Sequence, residues 1–155
     1  RGRQPVVYDS PPDFRIGGSN RLREGTDATV FAIGNLVKAS LEAHDILAKE
    51  GIGLGVVDMY SIRPIDEAAI LAAAGTQRVV FSAEEHNITS GFGSAVAEVL
   101  TRHGAATRLV RIGVPDQYSV LGPPTHLYRH YGLDGEGVAR TVREALRGPS
   151  ASGGT

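Results

Sequence analysis

The sequence has no cysteine. Disulfides, thiolate metal sites and a cysteine nucleophile are therefore excluded, and the composition fits a cytoplasmic protein. No charge of one sign dominates: 16 Lys and Arg face 17 Asp and Glu, a net charge of −1. The arginines are scattered, so neither a nucleic-acid nor an acidic-membrane partner is expected. No apolar run approaches the ~20 residues that a membrane helix needs. No signal-peptide pattern is present. The chain opens on Arg1 rather than Met, which raises the expectation that it is a piece whose neighbours hold the chemistry.

What is present alternates. The stretch 1–21, with Pro5, Pro11 and Pro12, has no periodicity and reads as an extended arm. The stretch 148–155 is small and polar and reads as a disordered tail. Between them lies one domain, 22–147, a size that supports a single core. Short β-rich apolar runs at 28–33, 54–59, 78–83 and 108–112 are predicted strands. Helices are predicted from Gly34-Asn35 to Glu50, from an Asp66 cap to Gly75, from Gly91 to Arg102, over 123–131 and over 136–147. Strand–helix units of about 25 residues imply right-handed crossovers and a mainly parallel sheet covered on both faces, an α/β/α sandwich.

Ligands of such folds bind beyond the carboxyl ends of the strands, so three loops are candidates. Gly34-Asn35 opens a helix and its amides suit an anion. It has neither a G-x-G-x-x-G pattern nor a Walker lysine, and a tight loop capped by Asn35 is the favoured reading. In Ser61-Ile-Arg63-Pro64-Ile-Asp66, Arg63 offers a guanidinium to a phosphate or a partner carboxylate. A local ion pair with Asp58 or Asp66 is favoured over that external contact. The third loop, Glu84-Glu85-His86 through Gly91-Phe-Gly93, is the most unusual. Successive strand residues point to opposite faces, which disfavours both a metal site and a carboxylate pair for acid–base work. Gly91-Phe-Gly93 matches a dinucleotide fingerprint only in part, since Val96 stands at the third glycine position. The favoured reading is structural: the glycines allow close packing at a helix start, and the charged residues fix the loop or meet a partner chain.

His126 and His130 stand at i, i+4, but Leu127 replaces the Glu of a zinc-hydrolase motif. With Tyr118, Tyr128 and Tyr131 nearby, that segment reads as an interface. No G-x-S-x-G nucleophile elbow occurs.

Five segments, in order, carry a resemblance: Leu22-Arg-Glu-Gly25 with Asp27 to Gly34; Val57 to Asp66; Ser82 to His86 with Gly91 to Glu98; Gly113-Val-Pro-Asp116; and Tyr131-Gly-Leu133. Together they resemble the C-terminal domain of the transketolase-like, thiamine-diphosphate-dependent enzymes. The resemblance implies a mostly parallel five-stranded sheet with one antiparallel edge strand, which the pattern of residues does not reveal. It also implies a component of an enzyme moving a two-carbon ketol unit between sugar phosphates. Other members are 1-deoxy-xylulose-5-phosphate synthase and the β subunit of 2-oxo acid dehydrogenase E1, and a stand-alone interaction or nucleotide-binding module remains a further alternative. In the family, the diphosphate and its metal sit on an N-terminal domain and the glutamate that activates the thiazolium on a middle domain, so this chain is expected to hold no cofactor, metal or catalytic residue and to be inactive alone. The implied partners are those missing domains or subunits, in a homo- or hetero-oligomer. The resemblance assigns packing on neighbours to Arg63, Glu85, His86, Gly91 and Gly93.

Overall fold

The computed structural model describes residues 6–10, 12–118 and 120–148. Five strands form one sheet in the order β1-β3-β2-β4-β5. They are β1 (Asn20–Arg23), β2 (Ala28–Ala32), β3 (Leu54–Asp58), β4 (Val79–Asn87) and β5 (Arg108–Val114). β1 runs antiparallel to β3, and every other pairing is parallel. The helices are α1 (Leu36–Ala48), α2 (Glu67–Ala74), α3 (Phe92–Arg102), α4 (Pro124–Tyr131) and α5 (Gly135–Arg147).

Alternation along the central strands creates two cores. Val30, Ala32, Val56, Phe81 and Ala83 face α1 and α5 in one apolar cluster. Phe31, Val57 and Val80 face α2 and α3 in the other. β2 and β3 are buried along their whole length, as strands covered on both faces must be. The architecture is thus the expected α/β/α sandwich, with the antiparallel strand on the edge.

The helix starts differ from expectation in one respect. Asp66 caps α2, accepting from the Ala69 amide at 3.0 Å. Asn35, expected to cap α1, makes no side-chain cap bond and has helical φ and ψ. Its side chain is drawn away to Glu85 and Tyr128. β1 begins at Asn20, inside the stretch read as an arm. The described part of that arm turns over 15–18, where the Gly18 amide donates to the Arg15 carbonyl at 3.0 Å, and it is docked: the Gly17 amide donates to Ser61 Oγ at 2.9 Å and Ser19 Oγ to Asp66 at 2.8 Å. Of the tail expected over 148–155, all but Gly148 lies outside the described residues.

Candidate functional site

The crossover from β2 through α1 runs to β3 on one side, and the crossover from β4 through α3 runs to β5 on the other. The carboxyl ends of β2 and β4 therefore frame the crevice where doubly wound sheets bind ligands. A cleft of about 710 Å³ opens there, on the α2 and α3 side. Arg63, Glu84, His86, Ser90, Gly91 and Glu98 are among the residues that line it.

The neighbouring carboxylates Glu84 and Glu85 part company because strand residues alternate in direction. Glu84 follows Val80 and Ser82 onto the α3 face and is 1% exposed. It accepts from the Phe92 amide at 2.6 Å and from the Gly93 amide at 2.8 Å. Glu85 goes to the α1 face, where it accepts from the Asn35 amide at 3.2 Å, from Asn35 Nδ2 at 2.6 Å and from the Tyr128 hydroxyl. Each carboxylate thus satisfies the orphan amides and positive dipole end of the helix on its own face. The two helix starts that would attract a phosphate already carry an internal anion.

The glycines fit this arrangement. A Cβ on Gly91 would land on the Glu84 carboxylate, and one on Gly93 would meet Ser82 Oγ at 2.5 Å. Both positions let α3 start close above β4, as expected for close packing. Between β4 and α3, Ser90 holds a positive φ of 63°, a conformation that costs a non-glycine residue of order 1 kcal/mol.

Arg63 sits at the tip of a turn closed by an Ile62–Ile65 bridge, next to a cis Arg63–Pro64 bond. The favoured ion pair does not form. Asp58 accepts instead from the Tyr8 hydroxyl, and Asp66 from Ser19 and Ala69. Among the described residues Arg63 has no salt bridge.

Of the five residues singled out, the fold gathers Arg63, His86 and Gly91 at the cleft, while Glu85 lies on the opposite face of the sheet and Gly93 is buried in the first turn of α3. Residue types alone missed the Tyr8–Asp58 pair. Burial pushes Asp58 above the usual carboxylate range, against the pull of the Tyr8 hydrogen bond. Burial and the Asp58 hydrogen bond push Tyr8 up to about 12. The available signal was the presence of the aromatics Tyr8 and Phe14 in a proline-rich arm without periodicity; Phe14 bridges Tyr8 and Tyr60 edge-on, at centroid distances of 5.9 and 4.6 Å.

A family model for the transketolase C-terminal domain matches residues 17–138. The chain belongs to the transketolase C-terminal domain family. It is 43% identical over 147 residues to 1-deoxy-D-xylulose-5-phosphate synthase of Syntrophotalea carbinolica, covering 93% of this chain and 23% of that protein. It is 36% identical to a putative transketolase C-terminal section of Methanocaldococcus jannaschii, covering 92% of this chain and 45% of the other. Among solved structures, a split-gene transketolase described as an inactive β4 tetramer matches with a TM-score of 0.86 and 38% identity, over 93% of this chain and 47% of that one. The chain therefore spans from about a quarter to about half the length of these relatives.

Proposed function

We propose that this domain is the C-terminal component of a transketolase-like enzyme that transfers a two-carbon ketol unit between sugar phosphates, and that it supplies packing rather than catalytic groups. The carrying observation is the match along 93% of the chain to a split-gene transketolase chain about twice its length. That relative is described as inactive in its β4 form, which supports inactivity of this chain alone.

The chain's own residues do not fit thiamine diphosphate and Mg²⁺. Among the described residues no group of three or more His, Asp or Glu side chains could hold a metal. At the helix starts that would suit a diphosphate, Glu85 takes the Asn35 amide of α1 and Glu84 takes the Phe92 and Gly93 amides of α3. The coenzyme and its metal are therefore assigned to partner domains or subunits. The same capping disfavours a stand-alone nucleotide-binding module.

Arg63, Glu85, His86, Gly91 and Gly93 would shape the edge that meets those partners, with oligomerisation extending the contact. Tyr118 and Leu121 are fully exposed in the loop before α4, and such apolar exposure marks interaction surfaces. The reading includes a cytoplasmic location, in keeping with the absence of cysteine; no helix among the described residues is long and apolar enough to cross a membrane.

Ketol transfer between a ketose phosphate and an aldose phosphate tests the proposal, with and without the companion polypeptide. Activity that appears only with the companion and saturates as it is added is expected. Turnover by the chain alone, rising with its concentration, would refute the proposal. The 43% identity to a deoxyxylulose phosphate synthase supports a second reading within the family. Consumption of a 2-oxo acid donor with release of CO₂, in place of ketol transfer between sugar phosphates, would favour it.

A further inference from the structure

The cleft at the carboxyl ends of β2 and β4 holds more hydrogen-bond donors than the chain uses. Arg63, His86 and Ser90 line it and have no side-chain hydrogen bond among the described residues, and Thr89 contributes a further hydroxyl. Ser94, at the start of α3, faces the same space while accepting from Arg111 at 3.2 Å. Its volume of about 710 Å³ lies within the ~300–1,000 Å³ typical of small-molecule sites. Ile33, Ile62 and Phe92 supply apolar wall.

The arginine is exposed on a turn that is tethered on both sides. Gly17 and Ser19 of the docked arm grip the turn at Ser61 and at Asp66, one on each side of Arg63. Ser61 Oγ also closes the turn on the Pro64 carbonyl at 2.7 Å. Arg63 thus projects from a tethered turn, and among the described residues its guanidinium has no salt bridge to give up on binding an anion. Opposite it, Ser90 is kept at a positive φ, a kind of strain that gathers at ligand clamps. Two carboxylates also line the cleft. Glu84 is spent on the amides of α3, and Glu98 stands one helical turn beyond Ser94 on α3.

We propose that this cleft binds the phosphate of a small phosphorylated molecule, with Arg63 as its principal contact and His86, Thr89 and Ser90 as further donors. A guanidinium fork, an imidazole and two hydroxyls offer more donors than the two oxygens of a carboxylate take up, and they match the three terminal oxygens of a phosphate monoester. The site is separate from the helix starts, which the chain fills itself. It rests on the chain's own residues and not on the ketol-transfer reading.

The test is calorimetric titration of the protein, together with any companion chain, with inorganic phosphate and then glycerol 3-phosphate, for wild type, R63Q and R63K. Wild type should bind one equivalent per copy of this chain that R63Q weakens at least tenfold and R63K weakens less. Thermal melting should show R63Q as folded as wild type, because Arg63 is exposed. Equal titration curves for wild type and R63Q would overturn the proposal. So would an R63Q variant that only loosens the companion, since the guanidinium would then serve a carboxylate of that chain. A failed ketol-transfer assay leaves this titration readable and so separates the two claims.

Discussion

At the scale of single residues, the division of labour between Glu84 and Glu85 explains most of the loop. Glu84 is buried, and its two oxygens hold two amides. Glu84→Ala leaves both donors without a partner beside a new void, and should cost about 1.5–3 kcal/mol, the range for hydrogen bonds to charged groups. Glu84→Gln keeps one acceptor and should cost less. Urea unfolding midpoints would show the ranking, and equal midpoints for all three proteins would contradict it. Tyr8→Phe removes the hydrogen bond to Asp58 and should lower stability by about 1 kcal/mol, read as a reduced melting temperature. The Tyr8 hydroxyl is raised on folding, so its contribution is complete below pH 10 and is lost as pH rises toward about 12. The ultraviolet titration of wild type minus that of Tyr8→Phe should accordingly show a late-titrating tyrosine.

At the scale of elements, what was legible followed burial. β2, β3 and the first part of β4 are runs of buried residues, β5 has one buried residue in Ile112, and α2 carried both its Asp66 cap and its Gly75 stop in plain view. β4 runs on to Asn87, past the expected end at Ala83, because its polar end is held by helix-start contacts rather than by apolar burial. β1, four residues with Leu22 alone packed against a core, is too short and polar to announce itself. Arg63 was misread for a reason of competition: the nearby carboxylates are claimed by an arm that lies far off in sequence. The site was legible as a loop but not as a cleft, since the approach of the Arg63 turn to the β4–α3 loop is a tertiary fact. Two variants address the elements directly. Gly93→Ala drives a methyl into Ser82 and Arg111 and should destabilise by about 1–3 kcal/mol, as overpacking does. Leu121→Asp, in the fully exposed loop before α4, should leave the melting temperature unchanged and weaken association with the companion chain, measured by sedimentation.

At the scale of the whole molecule, the sheet is a finished body whose ligand-binding edge has been partly closed from within. Both helix starts that border the switch in strand order are occupied by the chain's own carboxylates. That is the physical basis for the supporting part proposed above. Calorimetric titration of the isolated chain with thiamine diphosphate and Mg²⁺ tests it most directly. The account predicts no saturable heat until the companion polypeptide is present. Micromolar binding by this chain alone would contradict it.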